Sequence, residues 1–131
     1  MKLAALVGLA IASATSLNAA DTAGPAVVPL LAQALPNIEG KEVTMLTVEY
    51  GPGGTSSPHR HNANTFVYVL EGSVVMQVTG GKLQTLTVGQ TFYESPTDIH
   101  SVSRNASATQ KAKILVFMLK DKGAPATVPA N

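Results

Sequence analysis

The chain contains no cysteine, an absence that excludes disulfides, thiolate metal ligands and a nucleophilic thiol together. Charge is sparse: Asp, Glu, Lys and Arg make up 13% of residues and the formal net charge is +1. Nothing resembles the basic patch that neutralises phosphates, so nothing argues for nucleic acid as a partner. Long apolar runs are scarce too, and the clearest of them, Leu3 to Ala12, is too short to cross a bilayer as an ordinary helix. Histidine is confined to three positions, His59, His61 and His100. At 131 residues the chain has room for one domain with a real core and not for two.

The ends differ from the middle in composition. Lys2, the apolar run after it and the small residues up to Ala20 form the pattern of a secretory signal peptide over residues 1–20, cleaved near Ala19 or Ala20. Export to a periplasm or beyond is therefore expected, with no stable membrane span after cleavage. Without Lys2 the remaining chain carries eight basic and eight acidic residues and is electrically balanced. An exported domain without disulfides must rely on its apolar core, on a metal or on subunit contacts. Residues 21–42, rich in Ala and Pro, are expected to form an N-terminal arm packed across the domain, with one helical or extended stretch from Val27 to Leu35. Residues 121–131, with Pro125 and Pro129, are expected to be a flexible tail.

Between these ends, residues 43–120 read as β-structure. Short runs rich in Val, Thr and aromatics are punctuated by Gly, Pro and Asn, and they predict strands at Val43 to Tyr50, Ser57 to His61, Thr65 to Leu70, Ser73 to Thr79, Leu83 to Val88, Thr91 to Glu94, Ile99 to Ser103 and Ala112 to Leu119. Glu71-Gly72 and Gly80-Gly81 mark hairpin turns. So many short strands predict an all-β sandwich or barrel. Alternation puts Thr65, Val67 and Val69 on one face, and Phe66, Tyr68 and Leu70 on the other, where a second copy of the chain could pack.

The histidine spacing carries the chemistry. His59-Arg60-His61 is an H-x-H step on an expected strand, where alternate side chains share a face and both imidazoles can address one ion. His100 follows two predicted strands later, placed to return to the same site as a third ligand.

These residues resemble the signatures of a small single-domain cupin over residues 43 to 119. In the first signature Gly53, His59, His61 and Gly72 hold their places, while Thr65 stands where glutamate belongs. In the second, Gly89 and His100 are in register; Ser95, Thr97 and Arg104 occupy its other places, with Pro96 and Asn105 one residue along. The resemblance implies a double-stranded β-helix, or jelly-roll barrel, with His59, His61 and His100 as metal ligands. It also implies a homodimer and a small-molecule ligand or substrate. A three-histidine set resembles that of certain cupin dioxygenases, in which three His hold Fe(II). Without the carboxylate, the expected cofactor is a divalent transition metal, Fe, Zn, Ni or Cu, with Mn less favoured, because imidazole suits the former ions.

Other polar residues have plainer readings. Thr65 is expected to fill the barrel. Glu94, Gln77 and Glu49 could add a fourth ligand, but exposure is the expectation for each. Arg60 should point away from the two His, and Arg104 should sit in a salt bridge rather than at an anionic substrate. Phe66, Tyr68, Phe92, Tyr93 and Phe117 are expected to have core or sheet-packing duty, and Met45, Met76 and Met118 to fill gaps. Asn105-Ala106-Ser107 has the N-glycosylation pattern, a short match that is common by chance.

No catalytic residue is identified, and two classes of function fit. One is a dioxygenase-like, metal-dependent oxidoreductase acting on a small organic substrate, which tolerates the want of a general base. The other is a non-catalytic metal- or ligand-binding barrel, which export favours because Fe(II) is hard to keep reduced outside the cytoplasm.

Overall fold

A computed structural model of the chain describes residues 24–130. The expected signal peptide lies outside the described residues. Among the described residues eleven strands are formed: β1 (Ala26–Ala34), β2 (Lys41–Tyr50), β3 (Thr55–Ser56), β4 (His59–Arg60), β5 (Asn64–Glu71), β6 (Ser73–Val78), β7 (Gln84–Thr87), β8 (Thr91–Glu94), β9 (His100–Asn105), β10 (Ala112–Asp121) and β11 (Val128–Pro129). They build two antiparallel sheets, one ordered β1-β2-β10-β5-β8 and the other β11-β4-β9-β6-β7, with β3 paired to β9. This is the all-β double-stranded β-helix that the sequence predicts.

Alternation sets which residues enter the core. Along β10 buried and half-buried residues alternate from Ala112 to Lys120, and along β5 Thr65, Val67 and Val69 are buried while Phe66, Tyr68 and Leu70 are exposed. The two inner faces close on Val69, Val74, Met76 and Met118, all fully buried. Met45, by contrast, is only partly buried. Of the five aromatics expected in packing roles, Phe92 alone is in the core. Phe66, Tyr93 and Phe117 cluster instead on the outer face of the five-stranded sheet, with ring centroids 5.3 and 5.9 Å from Phe66.

The arm's apolar stretch takes the extended alternative expected for it and forms β1, an edge strand on β2, with the register shifting between Pro29 and Leu31. An edge tolerates Pro29, which has no N–H to give, and the irregularity absorbs it. The flexible-tail expectation is corrected. Lys120, 5% exposed, turns its ammonium inward to Glu42 and to the carbonyl of Ala124 (2.6 Å). That charge holds the Glu42 carboxyl below its ordinary range. A buried lysine needs such partners, and meeting its need draws residues 124–129 back so that β11 pairs with β4.

Two turn glycines separate backbone strain from crowding. Gly72 and Gly80 both have positive φ, 69° and 80°, but a Cβ at Gly72 would stand 2.4 Å from the Lys111 carbonyl oxygen, whereas one at Gly80 would meet nothing within 4 Å. Gly80→Ala is expected to cost about 1 kcal/mol, the left-handed strain alone, and Gly72→Ala to cost about 2 kcal/mol more because β5 and β10 must separate. Urea denaturation of the two variants checks this order.

Candidate metal centre

His59 and His100 are direct register partners across β4 and β9, which puts their Cβ atoms on one face within about 5.5 Å. His61 lies two residues beyond His59 and so returns to that face. Asn62 then adopts φ 50°, a left-handed turn that Asn tolerates, and the chain swings into β5. A register shift between Gln77 and Val78 resets the phase of β9, so that His100 and Ser103 are both buried. Ring centroids are 4.8 Å apart for His59 and His61, 5.0 Å for His59 and His100, and 6.5 Å for His61 and His100. Phe92 stacks on the His100 ring at 5.8 Å and fixes its plane.

The hydrogen bonds assign the tautomers. Nδ1 of His59 lies 2.8 Å from the Ser57 carbonyl oxygen, and Nδ1 of His61 lies 2.8 Å from that of Ala126. A carbonyl only accepts, so both Nδ1 atoms carry the proton and both Nε2 lone pairs are free. This is the outer-shell arrangement that orients an imidazole toward a cation.

Glu94 overturns its expected exposure. It is 2% exposed, because Phe92 and Glu94 share the inward face of β8 and Glu94 is the register partner of Thr65. Its carboxylate approaches His100 Nδ1 at 3.1 Å and His61 Nε2 at 3.6 Å. A carboxyl group thus stands directly across the strand pair from Thr65.

Four buried polar atoms have no hydrogen-bond partner among the described residues: Thr65 Oγ1, Glu94 Oε1, and both ring nitrogens of His100. Each such atom costs about 1–3 kcal/mol, and more when charged. The ligand atoms of His59, His61 and His100 lie within 4.8 Å of one another. Donors bound tetrahedrally at about 2.1 Å stand about 3.4 Å apart, so the widest pair would close by roughly 1.4 Å around a cation. The residues fit a divalent ion.

The remaining sequence candidates lie elsewhere. Gln77 Nε2 donates to the Gly81 carbonyl (2.8 Å) and ties down a turn. Glu49 is half-exposed beside Lys111 at 3.6 Å, and Arg60 is half-buried on β4. The salt bridge expected of Arg104 is not formed among the described residues; its guanidinium donates to the Asn105 carbonyl (3.3 Å). Sequence reasoning missed the contribution of Ala126, which has no side-chain signature. Glu94 was detectable, since the run Thr91 to Glu94 places it on the face of Phe92.

A cavity of about 750 Å³ opens onto the centre, walled by Val48, Val67, Ile114 and Val116 among others, with Glu94, the three His, Thr127 and Pro129 at the ligand end.

The cupin domain family matches residues 46–118 of this chain. Germin-like protein 5-1 of Oryza sativa subsp. japonica is 33% identical over 115 residues, covering 84% of this chain and 50% of that protein. Germin-like protein subfamily 2 member 2 of Arabidopsis thaliana is 34% identical over 77 residues, covering 55% of this chain and 35% of that protein. The chain thus spans half or less of these curated relatives. Among solved structures, DMSP lyase DddQ from Ruegeria pomeroyi DSS-3 superposes with TM-score 0.67 at 18% identity, covering 89% of this chain and 57% of that one. Oxalate oxidase in complex with the substrate analogue glycolate superposes with TM-score 0.61 at 24% identity, covering 84% of this chain and 56% of that one. At these identities the structural likeness speaks to the fold.

Burial, above all, holds the His59 pKa below its ordinary 6.5; His61 and His100 act in the same direction, while the Ser57 carbonyl and Glu94 oppose it. The unfolded chain therefore takes up a proton at His59 at higher pH than the fold does. Stability from this residue is complete above the ordinary value and declines as pH falls through it. The melting temperature of chelator-treated protein is expected to drop between about pH 7 and 5.5, and His59→Gln should flatten that drop.

Proposed function

Because the chain belongs to the cupin domain family, we propose that it is an exported protein holding one divalent transition metal on His59, His61, His100 and Glu94, and acting as a dioxygenase-like oxidoreductase on a small organic substrate. The observation that carries this reading is the cluster of buried, unpartnered polar atoms at Thr65, Glu94 and His100, which an apolar sandwich retains only at a cost that a cation would offset. Bound there, the ion supplies Lewis-acid polarisation or oxygen activation to a chelating substrate.

The chain's own residues do the rest. The Ser57 and Ala126 carbonyls hold the protons of His59 and His61 on Nδ1 and aim Nε2 inward. Glu94 balances one positive charge, a role that three imidazoles cannot fill. Phe92 holds the His100 plane, and valines make the wall beside it apolar. Residues 1–20 support export, and the apolar outer face bearing Phe66, Tyr68, Leu70 and Tyr93, each 41–50% exposed, supports a homodimer.

A second reading, binding without turnover, is favoured by one observation. Once the three His and Glu94 are ligands, no other carboxylate, His, Lys or Arg stands on the described cavity wall to move a proton. Metal analysis of untagged protein with oxygen-uptake assays on diketones, flavonols and thiols separates the two. Iron-dependent uptake is expected; stoichiometric zinc without turnover would leave the binder.

The carboxylate itself is tested by relocation. Glu94→Gln is expected to weaken Mn2+ binding by roughly tenfold or more, since hard ions follow ligand charge. Adding Thr65→Glu to that variant should return most of the loss, because positions 65 and 94 face each other. Isothermal titration with Mn2+ and Zn2+ reads both. The dimer is tested by sedimentation: Phe66→Asp should give monomers with metal content unchanged.

A further inference from the structure

The metal-proximal cavity has a second polar feature that the centre does not use. Tyr50, 2% exposed, ends β2 with its hydroxyl 3.0 Å from Ser56 Oγ and 2.7 Å from Ser103 Oγ. All three residues line the same cavity as the histidines and Glu94. Three hydroxyls carry three protons, and their two mutual hydrogen bonds use two. Neither serine Oγ has another hydrogen bond among the described residues, so one donor and several lone pairs remain for a cavity guest. Ser103 lies three residues along β9 from His100, a separation of roughly 10 Å at strand rise. Between the two polar ends the wall is aliphatic.

Charge narrows the guest further. Glu94 is the only Asp, Glu, Lys or Arg on the described wall. A dipositive ion beside that carboxylate leaves one net positive charge. A monoanionic chelate neutralises it, whereas a dianion would leave a negative charge among valines with no cation to meet it.

We propose that Tyr50, Ser56 and Ser103 form a substrate-recognition subsite, and that the cavity takes an elongated, largely apolar monoanion with a chelating head at the metal end and a hydrogen-bonding group at the hydroxyl end. The chelating half of this assignment rests on the metal reading above; the hydroxyl half does not.

Benzoylacetone and its para-hydroxy counterpart serve as probes, titrated calorimetrically into zinc-loaded and chelator-treated protein, with oxalate as the dianion. Wild-type protein should bind the para-hydroxy compound about fivefold more tightly than benzoylacetone, the size of one neutral hydrogen bond. Ser103→Ala and Tyr50→Phe should abolish that preference while leaving zinc stoichiometry and the affinity for benzoylacetone unchanged. Oxalate should bind at least tenfold more weakly than benzoylacetone to the zinc-loaded form. Equal affinities for the two diketones, a preference that survives both substitutions, failure of both diketones to bind, or oxalate binding as tightly as benzoylacetone would overturn the proposal. Failure of zinc to bind, with the para-hydroxy preference intact and sensitive to Ser103→Ala, would remove the metal reading and uphold the subsite.

Discussion

Burying a carboxylate and an imidazole 3.1 Å apart, with no hydrogen bond formed between them, is the condition around which this molecule is organised. In a sandwich held together by valine and methionine, Glu94 and His100 leave three polar atoms unmatched, and Thr65 adds a fourth. Dispersal of such atoms through a core would be a defect. Their concentration at one point, where two further imidazoles present free Nε2 lone pairs, is what makes the cluster a candidate metal centre. The topology serves that convergence: β4 and β9 set two histidines side by side, and β5 and β8 bring Thr65 against Glu94.

The pairing of Thr65 with Glu94 accounts for an apparent loss in the sequence. Where the cupin signature has glutamate, this chain has a residue too short and uncharged to ligate. The neighbouring strand places a carboxylate, that of Glu94, at the opposite register position.

Much of the fold was legible because period-2 patterning is a local property. Val43 to Tyr50 and Ala112 to Leu119 read as strands from their own residues, and the inward set Thr65, Val67 and Val69 followed from alternation alone. The histidine cluster was legible because so few His are present and their spacing matches a known signature. Glu94 was misjudged because a charged residue on a four-residue strand is ordinarily solvated, although alternation already set it on the face of Phe92. The tail was misjudged for a different reason. Ala, Pro and Thr carry weak local signals, and what orders residues 124–129 is a distant group, the buried Lys120 ammonium together with β4.

The backbone oxygen of Ala126 orients an imidazole 65 positions earlier in the chain. The orientation of His61 is thus tied to the pairing of β11 with β4, and loosening residues 124–129 would free its ring to carry the proton on either nitrogen.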